Sequence, residues 1–385
     1  MRIGIDGIPL NQQLTGVGHY TLELARALAE GQPQDEIEIV SPLPFEFIPR
    51  AASASDVNGL PQNLSLVYQR SSLLTRRWWA IGLPRYVARH PFDIFHGTNF
   101  EGPLRSCCPS VLTIHDLSMW VCQETHNRRL ARRQRRRLPR MARMANMIIT
   151  PTESVREEVC EHLNIPHEKV VAVPEAARSV FRPAASNEAA AVRQRLGVSD
   201  EFFLFVGTIE PRKNLLTLLR AFEKIAPSVD PTSQLVLSGR RGWLIDDLYR
   251  EIDQSPVRDR IRLTDYLSDE DLRALYSSCR VFIYPSLYEG FGLPPLEAMA
   301  CGAPVIASRL PSISEVCGEG ARLVEPMSVN SLAQAISELL NDQVARESLA
   351  RLGLCRAAEF SWQRAARAKR EVYDEAIRRY ARNES

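Results

Sequence analysis

Hydrophobic positions along the chain fall into short runs that alternate with longer amphipathic stretches. The short runs are rich in Val, Ile, Leu and Phe and predict buried strands, whereas the stretches between them repeat at the helical period. Because strands that alternate with helices form parallel sheets, the pattern predicts an α/β protein. The predicted strands are 2–8, 36–40, 64–68, 93–97, 111–115, 147–150, 169–173, 202–207, 234–239, 260–264, 281–286, 304–308 and 321–326.

The alternation breaks once, over residues 177–200, where a proline, several alanines and mixed charges interrupt it. This segment predicts an interdomain connection that contains one short helix. We therefore expect two α/β domains of similar size, hinged near residue 180. Ligands of open parallel sheets bind beyond the carboxyl ends of the strands, so two such domains facing each other would form one deep cleft.

Composition and charge exclude several classes of protein. The 385 residues are 45% hydrophobic, and 48 basic residues against 46 acidic ones leave a net charge of +2, which does not indicate nucleic-acid binding. We find no signal peptide and no apolar run as long as a membrane span, so we expect a cytoplasmic protein. The eight cysteines form no C-x-x-C pair and show no Cys/His spacing typical of metal ligands. We therefore expect reduced thiols without a structural zinc or a disulfide.

The first candidate for chemistry is Thr15-Gly-Val-Gly-His-Tyr, which precedes a predicted helix over 17–30. Gly16 and Gly18 would let the backbone approach a ligand closely, and the helix N-terminus offers N–H groups to an anion. The segment is not a full G-x-G-x-x-G. A phosphate contact and a glycine turn without a ligand both remain open from these residues.

Arg212 and Lys213 form a second candidate, near the start of a predicted helix over 213–226. Cations at a helix N-terminus oppose the macrodipole, so both residues are locally unfavourable. A nearby anion such as a diphosphate would favour both of them. The alternative is a solvated charge pair.

Two acids, Glu289 and Glu297, lie eight positions apart in a stretch over 284–308 that is otherwise rich in Pro, Gly and Ala. Two prolines predict the start of a helix over 294–301, which puts Glu297 in its first turn. A carboxylate there can accept two hydrogen bonds from the vicinal diol of a ribose. The alternative is a capping role for Glu297 and a solvated Glu289.

Two further charged segments have simpler interpretations. Asp269-Glu-Asp271 has the form of a metal-binding D-x-D, but it follows Ser268, so we interpret it as the N-terminal cap of a helix. The segment 128–143 contains nine arginines and no acid, and such a helix can lie on anionic lipid headgroups. A solvated helix face is the alternative, and Pro139 is expected to kink or interrupt the helix.

The sequence resembles glycosyltransferase family 4, especially its bacterial mannosyltransferases. The segment from Glu289 to Glu297 matches the E-x7-E motif of retaining glycosyltransferases with the GT-B fold, and FVGTIEPRKN and VPEAA are also similar to the family. The resemblance implies an α/β GT-B fold with two Rossmann-like domains facing each other across a central cleft. Residues 1–180 would form the acceptor side, 181–360 the donor side, and 361–385 a helix that returns to the first domain.

The resemblance also implies roles for individual residues of the second domain. Glu297 would bind the ribose hydroxyls of a nucleotide sugar, and Arg212 and Lys213 would stabilise its diphosphate. Glu289 would hold the donor sugar, together with backbone groups of Phe291, Gly292 and Leu293.

In the first domain the resemblance implicates three residues. Gly16 and Gly18 would face the diphosphate, and His115 matches the family's histidine near the reacting centre. From the residues alone, a histidine after a strand is more often structural. Glu175, in VPEAA, stands where many relatives carry an Asn-Gly pair, so we assign it no role.

We therefore predict a retaining hexosyltransferase that needs no metal or other cofactor. It would transfer mannose from GDP-mannose to a saccharide or polyprenyl-linked acceptor in cell-surface polysaccharide synthesis, with 128–143 at the inner face of the membrane. A UDP-glucose or other hexose donor remains open. The sequence also leaves open a GT-B epimerase, a glycosidase, which gains nothing from Arg212 and Lys213, and a non-catalytic sugar-nucleotide-binding protein.

Overall fold

The computed structural model describes residues 1–11, 14–45, 60–70, 77–105 and 107–384. The strands in this part of the chain are β1 (Arg2–Asp6), β2 (Glu36–Ser41), β3 (Leu64–Tyr68), β4 (Ile94–Gly97), β5 (Ser110–Thr113), β6 (Met147–Thr150), β7 (Val170–Ala172), β8 (Phe202–Val206), β9 (Gln234–Ser238), β10 (Ile261–Thr264), β11 (Val281–Tyr284), β12 (Val305–Ser308) and β13 (Ala321–Val324).

The α-helices in the same residues are α1 (Gly16–Gly31), α2 (Leu83–Val87), α3 (Ser118–Val121), α4 (Arg128–Met144), α5 (Glu153–Leu163), α6 (Ser186–Leu196), α7 (Leu215–Ile225), α8 (Asp246–Gln254), α9 (Asp269–Ser278), α10 (Leu293–Ala300), α11 (Pro311–Cys317), α12 (Val329–Asn341), α13 (Gln343–Ala357) and α14 (Trp362–Glu384). A π-helical turn, Trp78–Gly82, leads into α2, and a 3-10 turn, Pro211–Lys213, precedes α7.

The chain divides into two units. The first contains Met1–Trp120, Arg128–Glu175 and Ser361–Ser385, and the second contains Val121–Asn127 and Ala176–Phe360. Each unit has one sheet in which the described strands are parallel, in the order β3-β2-β1-β4-β5-β6-β7 in the first and β10-β9-β8-β11-β12-β13 in the second. The strand order reverses between β1 and β4 and between β8 and β11, and such reversal points are where parallel sheets bind ligands.

The central strands are apolar because helices cover both faces of each sheet. Every residue of β8 and β11 is buried, and the two strands pair in parallel with Phe203 opposite Val281. The loops that follow them therefore leave the same edge of the sheet side by side. This pairing explains how residues 212–213 and 289 come together despite their distance along the chain.

The α/β prediction is confirmed, and each predicted strand is present with ends that differ by at most two residues. One of these differences separates His115 from its strand: β5 ends at Thr113, so His115 lies in the loop beyond it. The connection after the first unit contains one helix, α6, as expected. Pro139 lies inside α4, which continues past it to Met144, so Pro139 does not interrupt this helix, and a kink there stays a prediction.

Candidate functional site

Arg212, Lys213 and Glu289 form one ion cluster at the carboxyl ends of β8 and β11. Oε1 of Glu289 lies 2.6 Å from Nζ of Lys213, and Oε2 lies 2.9 Å from Nη1 of Arg212. Arg212 also donates to Glu210 over 2.7 Å, and Lys213 donates to the Tyr284 hydroxyl over 2.7 Å. The charges of two cations and two carboxylates therefore compensate one another in this cluster.

Burial and pairing set the protonation of this cluster. Burial favours the neutral form of Glu289, but the positive charges of Arg212 and Lys213 outweigh it and lower the pKa of Glu289 to about 2. Burial, followed by the charge of Arg212, lowers the pKa of Lys213, and Glu289 opposes this shift. Lys213 is only 6% exposed and Glu289 9%. The interpretations of a solvated charge pair and a solvated Glu289 are therefore wrong.

The loop after β11 is tied to the loop after β8 and to α11. Leu287 N–H donates to the Arg212 carbonyl over 2.8 Å, Nδ2 of Asn214 donates to the Pro285 carbonyl over 3.0 Å, and the Ser312 hydroxyl donates to the Glu289 carbonyl. Gly292 has φ +101°, and a Cβ there would lie 2.5 Å from Cδ1 of Ile313. Only glycine suits this position, because it combines a left-handed backbone with a close side-chain neighbour.

Helix α10 begins at Leu293, immediately after Gly292. Pro294 and Pro295 have no N–H, and Leu296 N–H donates to the Gly292 carbonyl, so Leu293 supplies the first-turn N–H that has no acceptor within the helix. Phe291 is buried and packs edge-on against Phe360, with ring centroids 6.0 Å apart. The backbone of this turn can therefore present an N–H donor shortly after Glu289 in the chain, while the side chain of Phe291 anchors the turn.

Glu297 belongs to a second polar cluster on the same unit. Its Oε1 lies 3.7 Å from Nε of Arg178, the Tyr276 hydroxyl donates to Oε2 over 3.4 Å, and Arg178 also pairs with Asp269. Burial raises the pKa of Glu297 to about 7, although Arg178 opposes the shift. Glu297 is the fifth residue of α10, so the expectation that it lies in the first turn is wrong, and the alternative of a capping role is wrong as well.

His115 lies in the first unit, beyond β5, where its ring is held on two sides. Nδ1 lies 2.9 Å from Oε1 of Glu175, and Nε2 lies 2.7 Å from the Thr98 carbonyl oxygen. The ring packs edge-on against Tyr20, with centroids 4.7 Å apart. Glu175, to which the sequence assigned no role, is thus the partner that orients this histidine.

Gly16 and Gly18 lie in the first turn of α1. Gly18 is buried, and a Cβ there would lie 2.9 Å from Cδ2 of Leu14 and 3.0 Å from the Pro9 carbonyl oxygen. The glycine at 18 thus allows a tight turn ahead of the helix. Contact of either glycine with a phosphate stays a prediction.

Comparison with known proteins identifies the family. The sequence model described as Glycosyltransferase Family 4 matches residues 14–177, and the model described as Glycosyl transferases group 1 matches residues 187–353. O-antigen chain mannosyltransferase B from Escherichia coli is 34% identical over 369 residues, which cover 94% of this chain and 97% of that protein. The chain belongs to glycosyltransferase family 4. It is a hexosyltransferase.

Other members and solved structures agree with this assignment. The MMP alpha-(1->4)-mannosyltransferase of Mycolicibacterium hassiacum is 29% identical over 425 residues, covering 99% of this chain and all of that protein. Sucrose-phosphate synthase from Thermosynechococcus elongatus matches with a TM-score of 0.75 at 21% identity, covering 97% of this chain and 98% of that one. WaaG, a glycosyltransferase involved in lipopolysaccharide biosynthesis, matches with a TM-score of 0.74 at 15% identity, covering 97% and 99%. The fold of this family 4 glycosyltransferase is GT-B.

Within the second unit the structure brings Glu289 together with Arg212 and Lys213, places Glu297 in a separate cluster, and adds other residues to both. The sequence pattern did not single out three of these added residues: Glu210, Tyr284 and Arg178. Glu210 lies two positions before Arg212 and could have been found from the same loop. Arg178 lies far from its partners in sequence, and only the packing of the connecting segment against α9 and α10 reveals it.

The D-x-D segment caps α9, as predicted: the Ser268 hydroxyl accepts from Asp271 N–H over 3.2 Å. The two carboxylates then diverge, since Asp269 pairs with Arg178 and Asp271 pairs with Arg195. Across the described ranges, no group of three or more His, Cys, Asp or Glu residues is arranged to hold a metal ion. Independence of metal stays a prediction.

Proposed function

We propose that this glycosyltransferase transfers mannose from GDP-mannose, with retention of anomeric configuration, to a saccharide or polyprenyl-linked acceptor in cell-surface polysaccharide synthesis. The observation that carries the proposal is the buried cluster of Arg212, Lys213 and Glu289 beside the N-terminus of α10. It combines fixed cations with a carboxylate acceptor, the two groups that a sugar diphosphate requires. The choice of mannose rests on relatives that are named mannosyltransferases.

In the proposed reaction the bond between the anomeric carbon and the β-phosphate oxygen breaks, and negative charge develops on the departing diphosphate. Arg212 and Lys213 stabilise that charge, and they do so without reorganisation because Glu289 already holds both cations in place. The acceptor oxygen bonds to the anomeric carbon on the same face, and its proton passes to the leaving diphosphate oxygen.

Recognition of the donor is divided between the two acids. Glu289 and backbone groups of Phe291, Gly292 and Leu293 hold the sugar hydroxyls. Glu297 accepts hydrogen bonds from the ribose hydroxyls when it is ionised, and Arg178 holds its carboxylate. From the first unit, Gly16 and Gly18 serve the diphosphate, and His115 lies near the reacting centre.

The donor is tested by measuring thermal stability of the purified protein with GDP-mannose, UDP-glucose and ADP-glucose, followed by turnover. Because a ligand that binds the folded state raises its apparent stability, we expect GDP-mannose to raise Tm most and to be hydrolysed slowly without an acceptor. NMR of the product's anomeric signal then reports retention or inversion. A larger Tm shift and faster turnover with UDP-glucose would replace the proposed donor, and an inverted product would overturn the mechanism.

We also propose that α4 contacts an anionic membrane. Arginines at 128, 132, 133, 136 and 140 are exposed, whereas Arg137 pairs with Glu101 over 2.9 Å. None of the helices in the described residues is long and apolar enough to cross a bilayer. Flotation with phosphatidylglycerol vesicles should retain the wild type and lose a variant with Arg132, Arg133 and Arg136 changed to Gln. Equal recovery of both proteins, or recovery with neutral vesicles, would overturn the proposal. The cytoplasmic location stays a prediction, which cell fractionation tests.

A further inference from the structure

Lys369, on α14, has a fully buried amine. Its side chain is 0% exposed, and Nζ has no hydrogen-bond partner among the residues that the structure describes. Nζ lies 5.2 Å from the ring centroid of Tyr20, a cation–π distance. A buried ammonium is costly unless nearby groups compensate its charge. We therefore ask which groups around Lys369 stabilise its positive charge.

The groups that face Lys369 come from several elements. Burial lowers the pKa of Lys369 to about 8, and the Glu175 carboxylate opposes this shift. His96 on β4 also faces the amine, but burial, together with Lys369 and His115, lowers the pKa of His96 well below its usual value. His96 is therefore neutral, with its ring bonded to the hydroxyls of Tyr373 and Thr113. Glu175 is the acid whose negative charge favours the ammonium form of Lys369, although Nζ of Lys369 donates no hydrogen bond to it.

Glu175 also serves His115. The Thr98 carbonyl oxygen can only accept, so Nε2 of His115 donates to it, and Nδ1 on the other side of the ring lies 2.9 Å from Oε1 of Glu175. Both Lys369 and His115 approach the ring of Tyr20 as well. One carboxylate and one aromatic ring thus connect the buried lysine of α14 to the histidine.

We propose that Lys369 is a positioning residue for His115: its charge holds the Glu175 carboxylate, and Glu175 holds the His115 ring through Nδ1. Helix α14 therefore supplies part of the first unit's functional centre in addition to packing against it. The effect on turnover rests on the proposed function, which places His115 near the reacting centre; the effect on the His115 ring does not.

The ring is followed by ¹⁵N NMR of histidine-labelled protein, with His115→Gln to assign the signal among seven histidines. We expect Lys369→Met to move the Nδ1 signal of His115, and Glu175→Gln to move it further. The matched control is Arg367→Met, an exposed position on the same helix, which should leave the signal unchanged. An unchanged His115 signal in Lys369→Met would overturn the proposal, even if the protein were less stable.

Kinetics provide the second readout. We expect Lys369→Met to lower kcat roughly tenfold with little change in the donor KM, and to add nothing when combined with Glu175→Gln, because both act through one interaction. Additive losses would overturn the proposal.

If Lys369→Met does not fold, the double variant, which lacks the unpaired carboxylate, is compared with Glu175→Gln alone. Identical His115 signals in these two proteins support the proposal, and different signals overturn it. If His115→Gln keeps wild-type turnover, the role proposed for His115 fails, whereas the NMR result still decides the positioning.

Discussion

Lys213 and Glu289 form a buried ion pair in which Nζ lies 2.6 Å from Oε1. The residues lie 76 positions apart, yet β8 and β11, which precede them, are neighbours in the sheet. Breaking a buried pair by removing one partner leaves an uncompensated charge. Here Arg212 contacts the same carboxylate, so the loss of Lys213 leaves Glu289 paired.

We expect Lys213→Ala to lower kcat/KM for the donor by about 10²–10³-fold, because it removes a fixed cation from the developing charge on the diphosphate. The fold should survive because Arg212 still pairs with Glu289. Steady-state kinetics and circular dichroism measure the two effects. Lys224→Ala, at an exposed position on α7, is the control and should transfer like the wild type. Normal turnover in Lys213→Ala would reject the proposed site.

Glu297 should make the protein less stable as pH rises. Burial raises its pKa from 4.5 to about 7, so between these values the folded carboxyl keeps a proton that the unfolded chain has lost. Because the unfolded state binds fewer protons than the folded state in this window, the free energy of unfolding falls as pH rises through it. We expect Glu297→Gln to raise Tm by about 2–4 °C at pH 8 and to leave it unchanged at pH 4. Equal Tm values at pH 8 would show that burial of Glu297 is not destabilising.

The affinity for the donor should increase as pH rises, because it depends on the ionised form of Glu297. The ionised carboxylate accepts two hydrogen bonds from a ribose diol, whereas the protonated form accepts fewer, so wild-type affinity should rise with pH through about 7. Glu297→Gln should weaken binding by orders of magnitude and remove this pH dependence. Isothermal titration from pH 6 to pH 8 tests both expectations. A pH-dependent affinity in the variant would assign the titration to another group.

Gly292→Ala should destabilise the second unit by about 1–3 kcal/mol through backbone strain at φ +101° and contact with Ile313. Adding Ile313→Ala should relieve the contact but leave the backbone strain, although it also leaves a cavity. Gly31→Ala, at a helical glycine with no heavy atom within 4 Å of the added Cβ, should be neutral or stabilising. Thermal unfolding of these variants measures each effect. A neutral Gly292→Ala would mean that this turn can relax.

Transfer should continue in EDTA because Arg212 and Lys213 supply the positive charge that a divalent ion would otherwise provide. Asp271→Asn should likewise leave turnover unchanged, since Asp271 pairs with Arg195. Turnover by metal-stripped enzyme, with Mg²⁺ or Mn²⁺ added back, measures the dependence. Activity that disappears in EDTA and returns with the ion would contradict the prediction.

Much of the architecture follows from local chemistry and can be predicted from the sequence. Strands buried on both faces are continuously apolar, so central strands such as β8 and β11 appear in the hydrophobic pattern without tertiary information. The cap at Ser268 is similarly local, because the hydroxyl and its N–H partner lie three residues apart. The residues of the E-x7-E motif were found because motif and spacing are properties of the chain itself.

The tertiary structure decided what those residues contact. The sequence placed Arg212 and Lys213 opposite an external anion, but strand pairing brings Glu289 against both of them. Glu175 and Arg178 hold partners that lie 60 and 91 positions away, so no periodicity or spacing could indicate these pairs. The sequence alone determined the sheets, the helices and the family motif, because these depend on neighbouring residues. Packing alone decided the charge state of Glu297 and the environment of His115, because burial and pairing arise only when distant segments meet.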